Sequence, residues 1–68
     1  MSEQRKYFRR VKALADEVHY EMLKRNVEAG STIHKNIVNL IDMKWQRFCR
    51  VNPKANTNAF KEYIQLCQ

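Results

Sequence analysis

A single glycine, Gly30, and a single proline, Pro53, are all that punctuate this 68-residue chain. Sandwiches and barrels of short strands need many turn residues, so this scarcity argues against a β architecture. What remains is an all-helical chain cut into three segments near those two positions. Its length allows one small domain spanning residues 1–68 and excludes a two-domain enzyme. The expected fold class is all-α, a small three-helix bundle with a long N-terminal helix, over about 3–29, 33–51 and 58–67.

The apolar spacing supports each segment. In the first, Tyr7, Phe8, Val11, Leu14, Ala15, Val18 and Met22 recur every three or four residues and share one helical face. Gly30 suits the left-handed position that ends a helix, and Ser31 or Thr32 can cap the next. A short turn there predicts a helical hairpin. In the second segment, Ile33, Ile37, Leu40, Ile41, Phe48 and Val51 form one arc, and Asn52-Pro53 ends it because proline disfavours helical geometry in the residue before it. A looser stretch follows, with Thr57 or Asn58 as the cap of a third helix whose inner face is Phe60, Tyr63, Ile64 and Cys67.

Two features exceed what a simple bundle requires. A first helix of some 25 residues would be about 38 Å long, against roughly 25 to 30 Å for a globule of this size, so part of it should project or bend. In addition, Val38, Trp45 and Cys49 make an extra apolar stripe beside the main arc of the second helix. Either that helix is sandwiched between the other two, or Val38, Trp45 and Cys49 form an interface with a second copy of the chain, as small domains gain burial by oligomerising. Lys44 projects near the centre of the same apolar arc and must extend outward or find a carboxylate.

Charge is distributed unevenly. Thirteen basic and seven acidic residues give +6 overall; residues 1–15 carry five and one (+4), residues 16–34 two and four (−2), and residues 35–68 six and two (+4). Arg5, Lys6, Arg9, Arg10 and Lys12 crowd the opening turns of the first helix, where the helix dipole already places partial positive charge. Asp16, Glu17, Glu21 and Glu28 occupy its later half, again the unfavourable order. A pattern that works against the local fold is expected where an external anion offsets it, and phosphate is the commonest such anion. A second basic set, Lys44, Arg47, Arg50 and Lys54, lies near the end of the second helix, where the dipole favours it.

Other chemistry is sparse. The chain has no glycine-rich phosphate loop, no G-x-S-x-G and no H-E-x-x-H, so no catalytic residues and no enzymatic activity are expected. His19, His34, Cys49 and Cys67 are each at least fifteen positions apart, without the paired knuckle of a structural zinc site, so neither a metal nor a cofactor is expected. The charged start, Met1-Ser2-Glu3-Gln4-Arg5-Lys6, lacks the apolar stretch of a secretory signal, and no run is long enough to span a membrane. A cytoplasmic protein with both cysteines as free thiols is the expectation, with no membrane or small-molecule partner.

The helix lengths and the connection at residues 52–57 do not fit a helix-turn-helix, and zinc-finger spacing is absent. The functional expectation is therefore general: a small basic nucleic-acid-binding or nucleic-acid-associated regulator, DNA being the expected polymer. Its mainly phosphate-directed contacts come from Arg5, Lys6, Arg9, Arg10, Lys12, Arg47, Arg50 and Lys54. The alternative is a protein-interaction module, a small inhibitor or adaptor, docking on an acidic protein with Tyr20 or Trp45 as apolar anchor.

Overall fold

The computed structural model describes residues 3–66, which form three α-helices: α1 (Glu3–Arg25), α2 (Thr32–Val51) and α3 (Ala59–Leu66). Cys67 and the expected end of the third helix at residue 67 lie outside the described residues. The helices run up, down and up. Tyr7 of α1 meets Phe48 near the end of α2, Lys61 of α3 reaches back to Asp42 of α2, and Phe8 of α1 meets Tyr63 of α3.

The first helix ends four residues earlier than its spacing predicts, and Asn26 is the reason. Its φ of 55° is left-handed, a region asparagine tolerates better than other side chains. Its N–H donates to the Leu23 carbonyl at 3.2 Å, and the Val27 N–H to the Met22 carbonyl at 2.9 Å. Those two bonds are the Schellman pattern that closes a helix, and Val27 and Met22 both pack on the core beside it. Gly30, with φ 85°, serves the connection instead, in a turn closed by the Ser31 N–H on the Glu28 carbonyl at 3.3 Å.

Ser31 caps α2 as anticipated, its hydroxyl oxygen accepting the His34 N–H at 3.1 Å. At the other end Asn52 takes a non-helical ψ of 73°, in keeping with the proline that follows, and its side-chain amide donates to the Phe48 carbonyl at 2.9 Å.

The core is built from Val11, Leu14 and Val18 of α1, Ile37, Ile41, Trp45 and Cys49 of α2, Ala55 of the connection, and Phe60 and Ile64 of α3. Leu14, Trp45 and Phe60 are fully enclosed, each burial contributing about 1.5–3 kcal/mol before conformational entropy is counted. On α3 the expected face holds, with Phe60 and Ile64 buried and Tyr63 half-buried.

On α2 the inward face is rotated from the expected arc. Trp45 and Cys49 of the extra stripe are buried within the chain, and Val38 is half-buried against the core. Trp45 and Cys49 are thus covered by the chain's own helices and are not available to a second copy. Ile33, Leu40 and Val51 of the expected arc are exposed. They share their side of the helix with Lys44 and Arg47, whose charges would have to be buried with them, whereas the Trp45 side offers apolar bulk without that cost. Lys44 is outside the core, and its ammonium pairs with Glu17 of α1 at 2.8 Å.

The connection expected to be loose is tied down. The Trp45 indole N–H donates to the Asn56 carbonyl and the Gln46 side-chain amide to the Thr57 carbonyl, both at 2.9 Å. Before α3, the Asn56 side-chain oxygen accepts the Asn58 N–H at 2.9 Å, and the Asn58 carbonyl accepts the Glu62 N–H at 3.0 Å. The described residues measure 38 × 19 × 18 Å. At 23 residues, α1 is about 35 Å long and forms one side of this elongated body.

Candidate nucleic-acid interface

The antiparallel hairpin brings the two basic sets together at one end. The Tyr7 and Phe48 rings meet edge to face at 5.9 Å, the Arg10 guanidinium lies 5.8 Å over the Phe48 ring, and Lys54 is 3.8 Å from Glu3. The opening turns of α1 and the closing turns of α2 are therefore neighbours. On α1, Lys6 and Arg10 lie on the side turned toward α2, and Arg5, Arg9 and Lys12 on the side turned away from it, as helical spacing requires. All eight cations expected to contact nucleic acid are exposed.

Among the described residues the ion pairs are Glu21–Arg25, Glu17–Lys44, Glu3–Lys54 and Asp42–Lys61. Only Lys54 of the candidate cations appears in them. Arg5, Lys6, Arg9, Arg10, Lys12, Arg47 and Arg50 have no carboxylate within ion-pair distance among the described residues. Arg10 spends its charge on the face of Phe48 instead, a cation–π contact. Glu3 is occupied twice, accepting the Tyr7 hydroxyl at 3.2 Å and pairing with Lys54. Partial burial, then the hydrogen bond and charge of Glu3, push the Tyr7 phenol above its ordinary pKa.

Beside the cations a groove of about 340 Å³ runs between the first turns of α1, the connection at residues 52–58, and α3. Tyr7, Phe8, Trp45 and Tyr63 line it, with Gln4, Lys54, Asn56 and Glu62 as its polar groups. Phe8 was expected to face the core, yet it is 54% exposed: it lies about 100° round the helix from Tyr7, which packs against Phe48. Its ring stands edge-on to Tyr63 at 5.9 Å. Sequence reasoning missed Phe8, Asn56, Glu62 and Tyr63 as a group. The nearest signal was the Tyr7-Phe8 pair inside the basic run.

A second groove, of about 430 Å³, holds Asp16, His19 and His34 between α1, α3 and the hairpin turn. His34 is buried and its Nδ1 accepts the Gly30 N–H at 2.8 Å. Among the described residues no three His, Cys, Asp or Glu side chains converge in a way that could hold a metal ion. Cys49, a free thiol, is buried at the other end of α2, and burial followed by the Asp42 charge pushes its pKa up, away from the reactive thiolate. No helix among the described residues is long and apolar enough to cross a membrane.

Comparison of the chain with protein-family models, with curated proteins and with solved structures finds no match. The residues themselves are what a functional reading rests on.

Proposed function

We propose that this protein binds nucleic acid through the basic end formed by α1 and α2, chiefly by contacts to phosphate. The supporting observation is that Arg5, Lys6, Arg9 and Lys12 stand exposed and without carboxylate partners among the described residues, Arg5 and Lys6 of them in the first turn of α1, where the dipole disfavours cations. With Arg10, Arg47, Arg50 and Lys54 beside them, eight cations share this end with the carboxylates of Glu3 and Glu62. Such a surface collects phosphates and releases their counterions.

The test is a titration of labelled duplex DNA, single-stranded DNA and RNA at two salt concentrations. Binding whose affinity falls steeply with salt is expected, and combined Arg5→Ala, Arg9→Ala and Lys12→Ala substitution should flatten that dependence. Binding that is absent at low salt, or insensitive to salt and to these substitutions, removes the reading.

A second reading has its own observation. Ile33, Leu40, Met43 and Val51 are exposed along α2, with Lys44 and Arg47 among them, a mixed apolar and basic face that suits an acidic protein or a second copy of the chain. In this reading Tyr20, 62% exposed, remains available as an anchor, whereas Trp45 is enclosed. Light scattering reads self-association directly, and Leu40→Lys should abolish any that occurs through this face.

A further inference from the structure

The groove beside the basic end has properties that contact with phosphate does not require. Its walls are aromatic, and Trp45 is held in place by its bond to Asn56, so the floor is rigid. Its charged lining groups are Lys54 and Glu62. The Glu62 carboxylate repels a phosphate but can accept the N–H of a nucleobase. Outside the groove, Arg5 and Lys12 lie one helical turn to either side of Phe8 and on its face of α1, at i−3 and i+4, and neither has a carboxylate partner among the described residues.

Bases in a duplex are stacked and paired, and do not present a face to a protein groove. Bases in a single strand do, and proteins that hold single strands combine aromatic platforms with cations along the backbone. We propose that the groove receives an unstacked base of a single-stranded nucleic acid, with Phe8 as the stacking surface and Arg5, Arg9 and Lys12 holding the flanking phosphates. The proposal rests on the phosphate-binding reading and names its substrate class.

Fluorescence anisotropy of short labelled strands tests it, using single-stranded DNA, single-stranded RNA, the DNA duplex, and a single strand whose sugars carry no bases. Base-bearing single strands should bind about tenfold tighter than the abasic strand. Phe8→Ala should lose that tenfold for base-bearing strands and leave the abasic strand unaffected. Phe8→Leu keeps the apolar bulk without a π-face, and should behave like Phe8→Ala. Equal binding of abasic, duplex and base-bearing strands, unchanged in both Phe8 variants but abolished by the Arg5, Arg9 and Lys12 substitutions, overturns the base site and leaves the phosphate reading standing. Failure of every polymer to bind overturns both.

Discussion

The indole nitrogen of Trp45 donates to the backbone carbonyl of Asn56 at 2.9 Å, eleven residues away. Through that bond the largest side chain of the core also positions the approach to α3, and its neighbour Gln46 repeats the device on Thr57. Trp45 stacks on Phe48 at 5.2 Å and 18°, and Phe48 carries Tyr7 and Arg10, so the core and the basic end are physically continuous.

Trp45→Ala should therefore be the most damaging single substitution. Removing a fully enclosed aromatic side chain costs about 3–5 kcal/mol, a large part of the stability of any small domain. Thermal melts followed by far-ultraviolet circular dichroism should show loss of a cooperative transition or a strongly lowered midpoint. A shift of only a few degrees would mean that the indole is not the centre of the core.

The basic turns of α1 should be dispensable for folding. Combined Arg5→Ala, Arg9→Ala and Lys12→Ala substitution is expected to leave the melting midpoint unchanged or to raise it, because Arg5 opposes the dipole in the first turn and the three cations, spaced four and three residues apart, repel one another. The difference from wild type should shrink as salt is added. A collapse of the melt would mean that these side chains stabilise the fold.

Two left-handed residues delimit the hairpin, and they should respond differently to substitution. Asn26→Gly should be neutral or slightly stabilising, whereas Asn26→Val should cost about 1–2 kcal/mol through its left-handed φ. Gly30→Ala meets no neighbouring atom, so any loss there reports backbone strain alone, again on the order of 1 kcal/mol. Urea titrations of the three variants check both the signs and the ordering.

Cys49 gives a pH signature. Its thiol titrates higher in the folded chain than when unfolded, first from burial and then from the Asp42 charge. A raised folded value means that the stability it contributes is fully present below the unfolded thiol pKa, about 8.5, and is lost as pH rises through the folded one. In a Cys67→Ser background, stability should decline above that pH more than in Cys49→Ala, and alkylation at neutral pH should be slow until denaturant is added. Asp42→Asn, which removes the lesser contribution, should speed alkylation modestly.

The division of labour between local pattern and assembly is visible residue by residue. Helical class, the three segments, the Ser31 cap, the stop before Pro53 and the inner face of α3 were all legible, because each depends on spacing or on chemistry within one turn of chain. The end of α1 was legible in principle from Asn26, but glycine four residues on is the stronger left-handed former and drew the boundary to itself. Which side of α2 turns inward could not be read, since apolar residues cover about half of its circumference and spacing alone does not rank Ile33, Leu40 and Val51 against Trp45 and Cys49. Packing settled that choice by enclosing the largest ring and leaving outside the side that carries Lys44 and Arg47. The meeting of the two basic sets and the aromatic groove beside them also depended on docking, because Phe8 is far along the chain from Trp45, Asn56 and Glu62 and joins them only when α1 packs against α2 and α3.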